Sequence, residues 1–215
     1  MPSISVCPLC ESQQINKFHT DKKRTYLRCV QCALVFVPPR FWLSAIEERK
    51  HYNWHENNPA DLRYRKFLSR LFTPLLGYLE EGDRGLDFGS GPGPTLSVML
   101  EEVGFEMAIY DPFFADDRSV FERQYDFVTA TEVFEHLFHP KVELECLLNI
   151  LKPSGTLGIM TKLVIDQAKF AKWHYKNDPT HVIFFSEQTL AWIAQQYCLT
   201  FTLVAPDASI FQKQI

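Results

Sequence analysis

The chain has 215 residues, a net charge of −4, and 46% apolar against 22% charged residues. That length fits one full α/β domain with a small appendage, and the balance is that of a folded protein, which excludes a disordered chain. No apolar run approaches the roughly 20 residues that span a bilayer, and the N-terminus has no form of a secretory leader, so no membrane role is expected and the expected address is cytoplasmic.

The charge is uneven. Residues 1–40 carry six Lys/Arg and two Asp/Glu, while the remainder carries 16 and 24, so a basic head precedes an acidic body. The head also holds four of the six cysteines, as Cys7-Pro8-Leu9-Cys10 and Cys29-Val30-Gln31-Cys32, with eighteen residues between the pairs. A two-residue gap lets two thiolates reach one ion from a single turn. A strand-like Arg24–Arg28 segment would bring the second pair back, and four thiolates suit a closed, structural Zn²⁺ site. Four free thiols or two disulfides are the plain alternative. A segment this short has little core, so metal binding would supply much of its folding free energy. The pattern resembles a zinc ribbon, with Glu11 where such knuckles often have Gly. Lys17, Lys22, Lys23, Arg24 and Arg28 are available to phosphate or to solvent. Cys146 and Cys198 read as small buried hydrophobes.

Pro38-Pro39 ends the ribbon. Ser44 with Glu47 reads as a capping box opening a helix, and Asn57-Asn58-Pro59 breaks the chain before a second helix with Pro59 in its first turn. Leu62, Phe67, Leu68, Leu71, Phe72 and Leu75 recur along it at helical spacing, up to a break at Pro74. His51, Tyr52, Trp54 and His55, between the two helices, read as a lid or as ordinary packing. No repeat or low-complexity segment occurs.

Then comes Leu86-Asp87-Phe88-Gly89-Ser90-Gly91-Pro92-Gly93-Pro94, a strand running into a Gly-rich turn, with a helix over Thr95–Val103. Such a turn brings backbone amides close to a ligand at the carboxyl edge of a parallel sheet. Glu106–Tyr110 reads as the next strand, ending in Asp111, 22 residues beyond Gly89, where an acid can accept from both ribose hydroxyls of a nucleoside. Tyr125–Thr131 reads as a further strand delivering Thr131 and Glu132 to the same edge, and Leu151–Thr161 as a helix end, a turn and a strand. Strands alternating with helices imply a parallel sheet covered on both faces. A nicotinamide dinucleotide site fits less well, because the sixth position of the G-x-G-x-x-G fingerprint is Pro94.

The LDFGSGPG loop, Asp111, YDFVTATEVFEHL and LKPSGTLGIM together make residues 45–215 resemble a class I S-adenosylmethionine-dependent methyltransferase. The resemblance implies an α/β, Rossmann-like sheet with helices on both faces behind a small N-terminal zinc ribbon. The expected organisation is a ribbon over 1–40, a helical linker or lid over 41–80, and an S-adenosylmethionine-binding domain over 81–215. It further implies that Gly89, Ser90 and Gly91 run along the methionine and ribose of the cofactor. Asp87 would orient the loop and, through water, the cofactor's amino group, Asp111 would hold the ribose, and Thr131 and Glu132 would lie below the methionine end. His136 belongs to the family's EHL element or simply caps and packs a helix start. Only fourteen residues separate Asp111 from Asp126, so the family's next strand is expected to be short or missing. That leaves Phe113 or Phe114 to flank the adenine, and Asp116 or Asp117 to accept from it or to form a solvated turn.

In family members, a run similar to DPTHVIFFS lies near the substrate pocket. Imidazoles accept protons near neutrality, which makes His181, and after it His174, the expected catalytic bases. Alternatively His181 and Asp178 pair to hold the loop, with Trp173 and Tyr175 as a lid. Ser186 and Glu187 open a helix over Gln188–Tyr197, and Leu199–Val204 with Ile210–Gln212 reads as a closing hairpin. The resulting expectation is methyl transfer to a small-molecule acceptor, because an acidic body disfavours a large nucleic-acid footprint. The other readings are an RNA methyltransferase gripping substrate with its basic ribbon, and a non-catalytic cofactor-binding protein whose ribbon docks a protein partner.

Overall fold

Asp21 organises the first hairpin. Its Oδ1 accepts the amides of Lys23 and Arg24, each at 2.8 Å, turning β1 (Ile15–Thr20) back onto β2 (Thr25–Cys29). The computed structural model describes residues 6–52 and 58–214, so Trp54 and His55 lie outside the described residues. β3 (Val35–Phe36) pairs with β2, and α1 (Ala45–Tyr52) follows. The capping box is formed: the Ser44 hydroxyl and amide donate to Glu47 Oε2 at 2.7 and 2.9 Å. α2 (Leu62–Leu75) begins three residues later than Pro59 suggests, because Asp61 is the cap and accepts the Arg63 amide at 2.8 Å. Pro74 lies in its last turn.

The main sheet is then laid down by β4 (Arg84–Phe88), α3 (Thr95–Glu101), β5 (Glu106–Tyr110), β6 (Tyr125–Thr131), α4 (Pro140–Ile150) and β7 (Leu151–Met160). After α5 (Gln167–Ala171) and β8 (Ile183–Phe184) come α6 (Glu187–Gln196), β9 (Leu199–Ala205) and β10 (Ala208–Lys213). The strand order is β5-β4-β6-β7-β10-β9, with β10 antiparallel to both neighbours. Among the described residues no strand follows β5 at this edge. The short stretch after Asp111 is spent on a 3₁₀ turn at Arg118–Glu122, as its length predicts. The expected turn near Pro153 is instead a bulge inside β7. The pairing jumps from Tyr125↔Leu151 to Phe127↔Thr156, Ser154 takes φ +62°, and Lys152 Nζ is pinned to Asp126 at 2.7 Å.

Apolar residues alternate across this sheet. Phe127, Met160 and Ile210 face Leu68, Leu71 and Leu75 of α2 and Leu96 and Leu100 of α3. Val128, Leu157, Ile159 and Phe211 join Leu144 and Leu147 of α4 and Leu190 and Ile193 of α6 on the other face. The inner strands β4, β6, β7 and β10 therefore bury both faces, while the edge strands β5 and β9 stay partly exposed.

The ribbon is continuous with this body. β8 pairs with β3, giving a second sheet β1-β2-β3-β8, and the Val37 amide donates to the Val182 carbonyl at 2.8 Å. Residue 40 is therefore not where the ribbon's sheet ends. Arg24, read from sequence as available to phosphate or to solvent, is buried. Its guanidinium donates to the carbonyls of Lys176, Asp178 (2.8 Å), Pro179 (3.3 Å) and His181 (2.9 Å), and its Nε to the Tyr26 hydroxyl at 3.3 Å. Lys176 Nζ reaches Asp21 Oδ2 at 2.9 Å. Partial burial alone would raise the Asp21 carboxyl. The Arg24 amide, the Lys176 ammonium, the Lys23 amide and the Tyr26 hydroxyl instead hold it well below the usual carboxylate range.

Replacing Arg24 by Met would strand these carbonyls, and an unsatisfied buried polar group costs about 1–3 kcal/mol. Urea denaturation of Arg24→Met is expected to show a loss of at least about 3 kcal/mol. An unchanged midpoint would refute the clasp.

Candidate functional site

The carboxyl ends of β4, β5 and β6 open into a cavity of about 1060 Å³. The Gly loop forms one wall. Gly89 (φ +73°) and Gly91 (φ +67°) hold left-handed backbone, and the Gly89 amide donates to the Tyr110 carbonyl at 2.7 Å, folding the loop over the end of β5. A Cβ on Gly89 would come within 2.4 Å of Val133, so nothing larger fits. Ser90 lines the cavity, and its buried hydroxyl has no partner among the described residues.

Asp111 stands at the end of β5 and also lines the cavity. Its Oδ2 accepts the Gly91 amide at 3.0 Å, and its Oδ1 the amides of Phe113 and Phe114 at 2.8 and 3.1 Å. One carboxylate thus ties the Gly loop to the next loop and keeps one lone-pair site, on Oδ2, for a ligand. Asp87 does not line the cavity. It lies beneath the loop, accepts the Thr129 hydroxyl at 2.7 Å, and burial pushes its carboxyl up to about 7. Phe113 and Phe114 line the cavity, whereas Asp116 and Asp117 do not. Asp116 pairs with Arg118 and Asp117 caps the 3₁₀ turn through the Ser119 amide, so both are turn formers.

Thr131 and Glu132 line the cavity. Glu132 is bent into left-handed backbone (φ +55°), which a side chain rarely adopts, and its amide donates to the Met160 carbonyl at 2.7 Å. Burial, then the neighbouring Glu135, push its carboxyl up to about 8. Glu135 is fully buried yet lines the cavity, accepting the Tyr175 hydroxyl on one oxygen. Sequence reading gave Glu135 no role and made Tyr175 a lid. Tyr175 is instead buried in the floor, with its ring 4.2 Å from that of His181.

His181 and His174 both line the cavity, His181 buried and His174 exposed at the mouth. His181 Nδ1 lies 2.8 Å from the Tyr175 carbonyl, and burial, followed by the nearby His136, lowers its pKa to about 4. Asp178 comes only within 3.9 Å of His181. Its Oδ1 takes the Thr180 hydroxyl and amide at 2.6 and 2.9 Å, and lies 3.2 Å from His51 of α1. His51 and Glu48 carry α1 across as a wall of the cavity.

In the ribbon, the four cysteine sulfurs lie within 4.8 Å of one another. The closest pairs are Cys10–Cys29 at 3.4 Å and Cys7–Cys32 at 3.6 Å, well beyond an S–S bond. A tetrahedral ion with bonds of about 2.3 Å would set sulfurs about 3.8 Å apart, so the donor set fits Zn²⁺. The two knuckles turn alike. The Glu11 amide donates to Cys7 and the Ala33 amide to Cys29, with Glu11 (φ +59°) and Ala33 (φ +61°) in the conformation that usually calls for Gly. Of the basic residues, Arg28 is drawn onto Gln188 and over the Phe18 ring, leaving Lys17, Lys22 and Lys23 exposed.

A family model described as a methyltransferase domain matches residues 57–202. No curated protein matches the chain. Among solved structures, a Burkholderia thailandensis 1,6-didemethyltoxoflavin-N1-methyltransferase, bound to 1,6-didemethyltoxoflavin and S-adenosylhomocysteine, is 15% identical with a TM-score of 0.51, over 93% of this chain and 100% of that one. A Pyrococcus horikoshii OT3 protein is 17% identical with a TM-score of 0.50, over 77% and 99%. An O-methyltransferase family protein of B. thailandensis is 15% identical with a TM-score of 0.51, over 81% and 62%. At these identities the likeness establishes the fold.

Proposed function

Because the chain belongs to the methyltransferase-domain family, we propose that it transfers a methyl group from S-adenosylmethionine to a small-molecule acceptor held in the same cavity. The observation that carries this reading is convergence: Gly89, Ser90, Gly91, Asp111, Thr131 and Glu132 all line one cavity. Two buried polar atoms there, Ser90 Oγ and Glu132 Oε1, have no partner among the described residues. A similar fold holding S-adenosylhomocysteine supports the same cofactor. When bound, the cofactor supplies an electrophilic methyl group on a sulfonium.

The chain's own residues then divide the work. The loop amides and the Ser90 hydroxyl take the methionine end, Asp111 accepts from the ribose, and Phe113 and Phe114 flank the base. Asp87 keeps the loop in place from below. Glu132 offers its unpartnered carboxyl oxygen to the cationic methionine end of the cofactor. At the other end, Tyr64, Phe67 and Phe138 offer apolar walls to the acceptor. His181 acts on the acceptor's nucleophilic atom, and His174 carries the released proton to solvent. A cavity of about 1060 Å³ has room for cofactor and acceptor side by side, since a single ligand site spans ~300–1,000 Å³. The RNA reading loses ground because Arg24 is buried and Arg28 is drawn onto Gln188.

Zinc would be held by Cys7, Cys10, Cys29 and Cys32 as a structural ion. The protein is expected to carry about one thiolate-bound zinc per chain, lost in Cys7→Ser together with thermal stability. A Cys7→Ser variant that keeps its zinc and its melting temperature would end that claim.

Calorimetry should show S-adenosylmethionine binding that Asp111→Ala weakens by about tenfold or more, the loss of a charge-assisted hydrogen bond. Equal affinity in the two proteins would remove the ribose role. His181→Ala should instead lower turnover by roughly 10²-fold or more and leave cofactor affinity within a few-fold. A drop in both together would mean that His181 serves only the fold.

A further inference from the structure

One end of the cavity gathers more ligating chemistry than donor binding uses. Glu135, His136 and His181 each bring one ligand atom within 4.8 Å of the other two. The first two sit on the 3₁₀ turn after β6, and His181 comes from the segment that Arg24 clasps. All three line the cavity.

Two observations point to a cation. Glu135 is fully buried, and its Oε2 has no partner among the described residues, while the Tyr175 hydroxyl occupies Oε1. A buried carboxylate oxygen with nothing to accept from is costly. The imidazoles are also oriented from behind. His181 Nδ1 lies 2.8 Å from the Tyr175 carbonyl, which can only accept, so Nδ1 carries the proton and Nε2 the lone pair. His136 Nδ1 lies 3.3 Å from the Thr180 carbonyl. Ring N–H groups donating to backbone carbonyls are how proteins aim histidines at metals. Tyr175 serves twice, through its hydroxyl on Glu135 and its carbonyl on His181.

We propose that Glu135, His136 and His181 form a site for one divalent first-row transition ion, which binds the acceptor's oxygen during methyl transfer. This rests on the methyl-transfer reading above and states how His181 acts in it. One carboxylate and two imidazoles suit Mn²⁺ through Zn²⁺ better than Mg²⁺ or Ca²⁺, which favour all-oxygen sets. Three protein ligands leave coordination positions open towards the cavity. An acceptor hydroxyl on the ion becomes more acidic and gives its proton to His174 or water at the mouth. The resulting oxyanion attacks the methyl carbon. The C–O bond forms as the C–S bond breaks, and sulfur keeps the electron pair. The site therefore selects hydroxyl or enol acceptors.

Mn²⁺ tests this selectively, because it prefers nitrogen and oxygen donors and leaves the ribbon thiolates to zinc. Zinc-replete protein is titrated with Mn²⁺, and free ion is read by electron paramagnetic resonance. The expected result is one Mn²⁺ bound per chain, weakened by about tenfold or more in Glu135→Gln, with S-adenosylmethionine binding retained as the control for folding. If Glu135→Gln loses cofactor binding as well, His136→Gln is measured in its place against the same criterion. Wild-type protein that binds no Mn²⁺ at millimolar ion, or variants that bind it as tightly as wild type, would overturn the site and leave the methyl-transfer reading standing. Bound Mn²⁺ without any S-adenosylmethionine binding would overturn that reading and leave the site.

Discussion

The guanidinium of Arg24 makes the N-terminal hairpin and the edge of the cavity one object. It gives hydrogen bonds to four carbonyls in six consecutive residues, from Lys176 to His181, a stretch largely without sheet or helix to satisfy them. A planar fork with five donors can do this, and a lysine, with one compact ammonium, cannot. Asp21, at the turn beside Arg24, accepts the Arg24 backbone amide and pairs with Lys176. The His181 imidazole is thus placed by a residue 157 positions earlier in the chain. Its backbone is held by Arg24 and its ring by the Tyr175 carbonyl.

The opposite side of the cavity is fixed by a different device. Asp111 joins the loops after β4 and β5 through three backbone amides, and Asp87 with Thr129 props the first loop from below. Both walls are therefore set by polar contacts anchored at strand ends, on a sheet packed apolar on either face. Between them lie Glu132 and Glu135, two carboxyls that burial drives towards the protonated form. Glu132 also holds an uncommon backbone conformation. Backbone strain and buried carboxyls concentrated at one point fit a place where a positive ligand supplies what the protein withholds.

What could be read from sequence was local. The Gly loop, the acid at the end of β5, the two cysteine pairs, the Ser44 capping box and the missing strand after Asp111 all depend on spacing within a few residues or on a count. What could not be read depends on partners far along the chain. Arg24 looks like one more surface cation until the 176–181 carbonyls are brought to it. Tyr175 looks like a lid until its hydroxyl is seen on Glu135. Pro153-Ser154-Gly155 has the composition of a turn and is absorbed as a bulge, because β6 offers a neighbour and Lys152 an anchor on Asp126. Ile183–Phe184 is too short to declare itself a strand and becomes one only beside Val35–Phe36.

The basic head takes on a different meaning once these contacts are known. Counted along the sequence, its charges invite a phosphate backbone. In the fold, Arg24 is buried in the clasp, Arg28 lies on Gln188, and Lys17, Lys22 and Lys23 remain outward. Of these five cations, Arg24 and Arg28 are thus spent on attaching the segment to the body. The ribbon's four thiols then matter beyond their own hairpin. The strands they tether carry Arg24 and pair with β8, so an ion at the cysteines would stiffen the loop that presents His181.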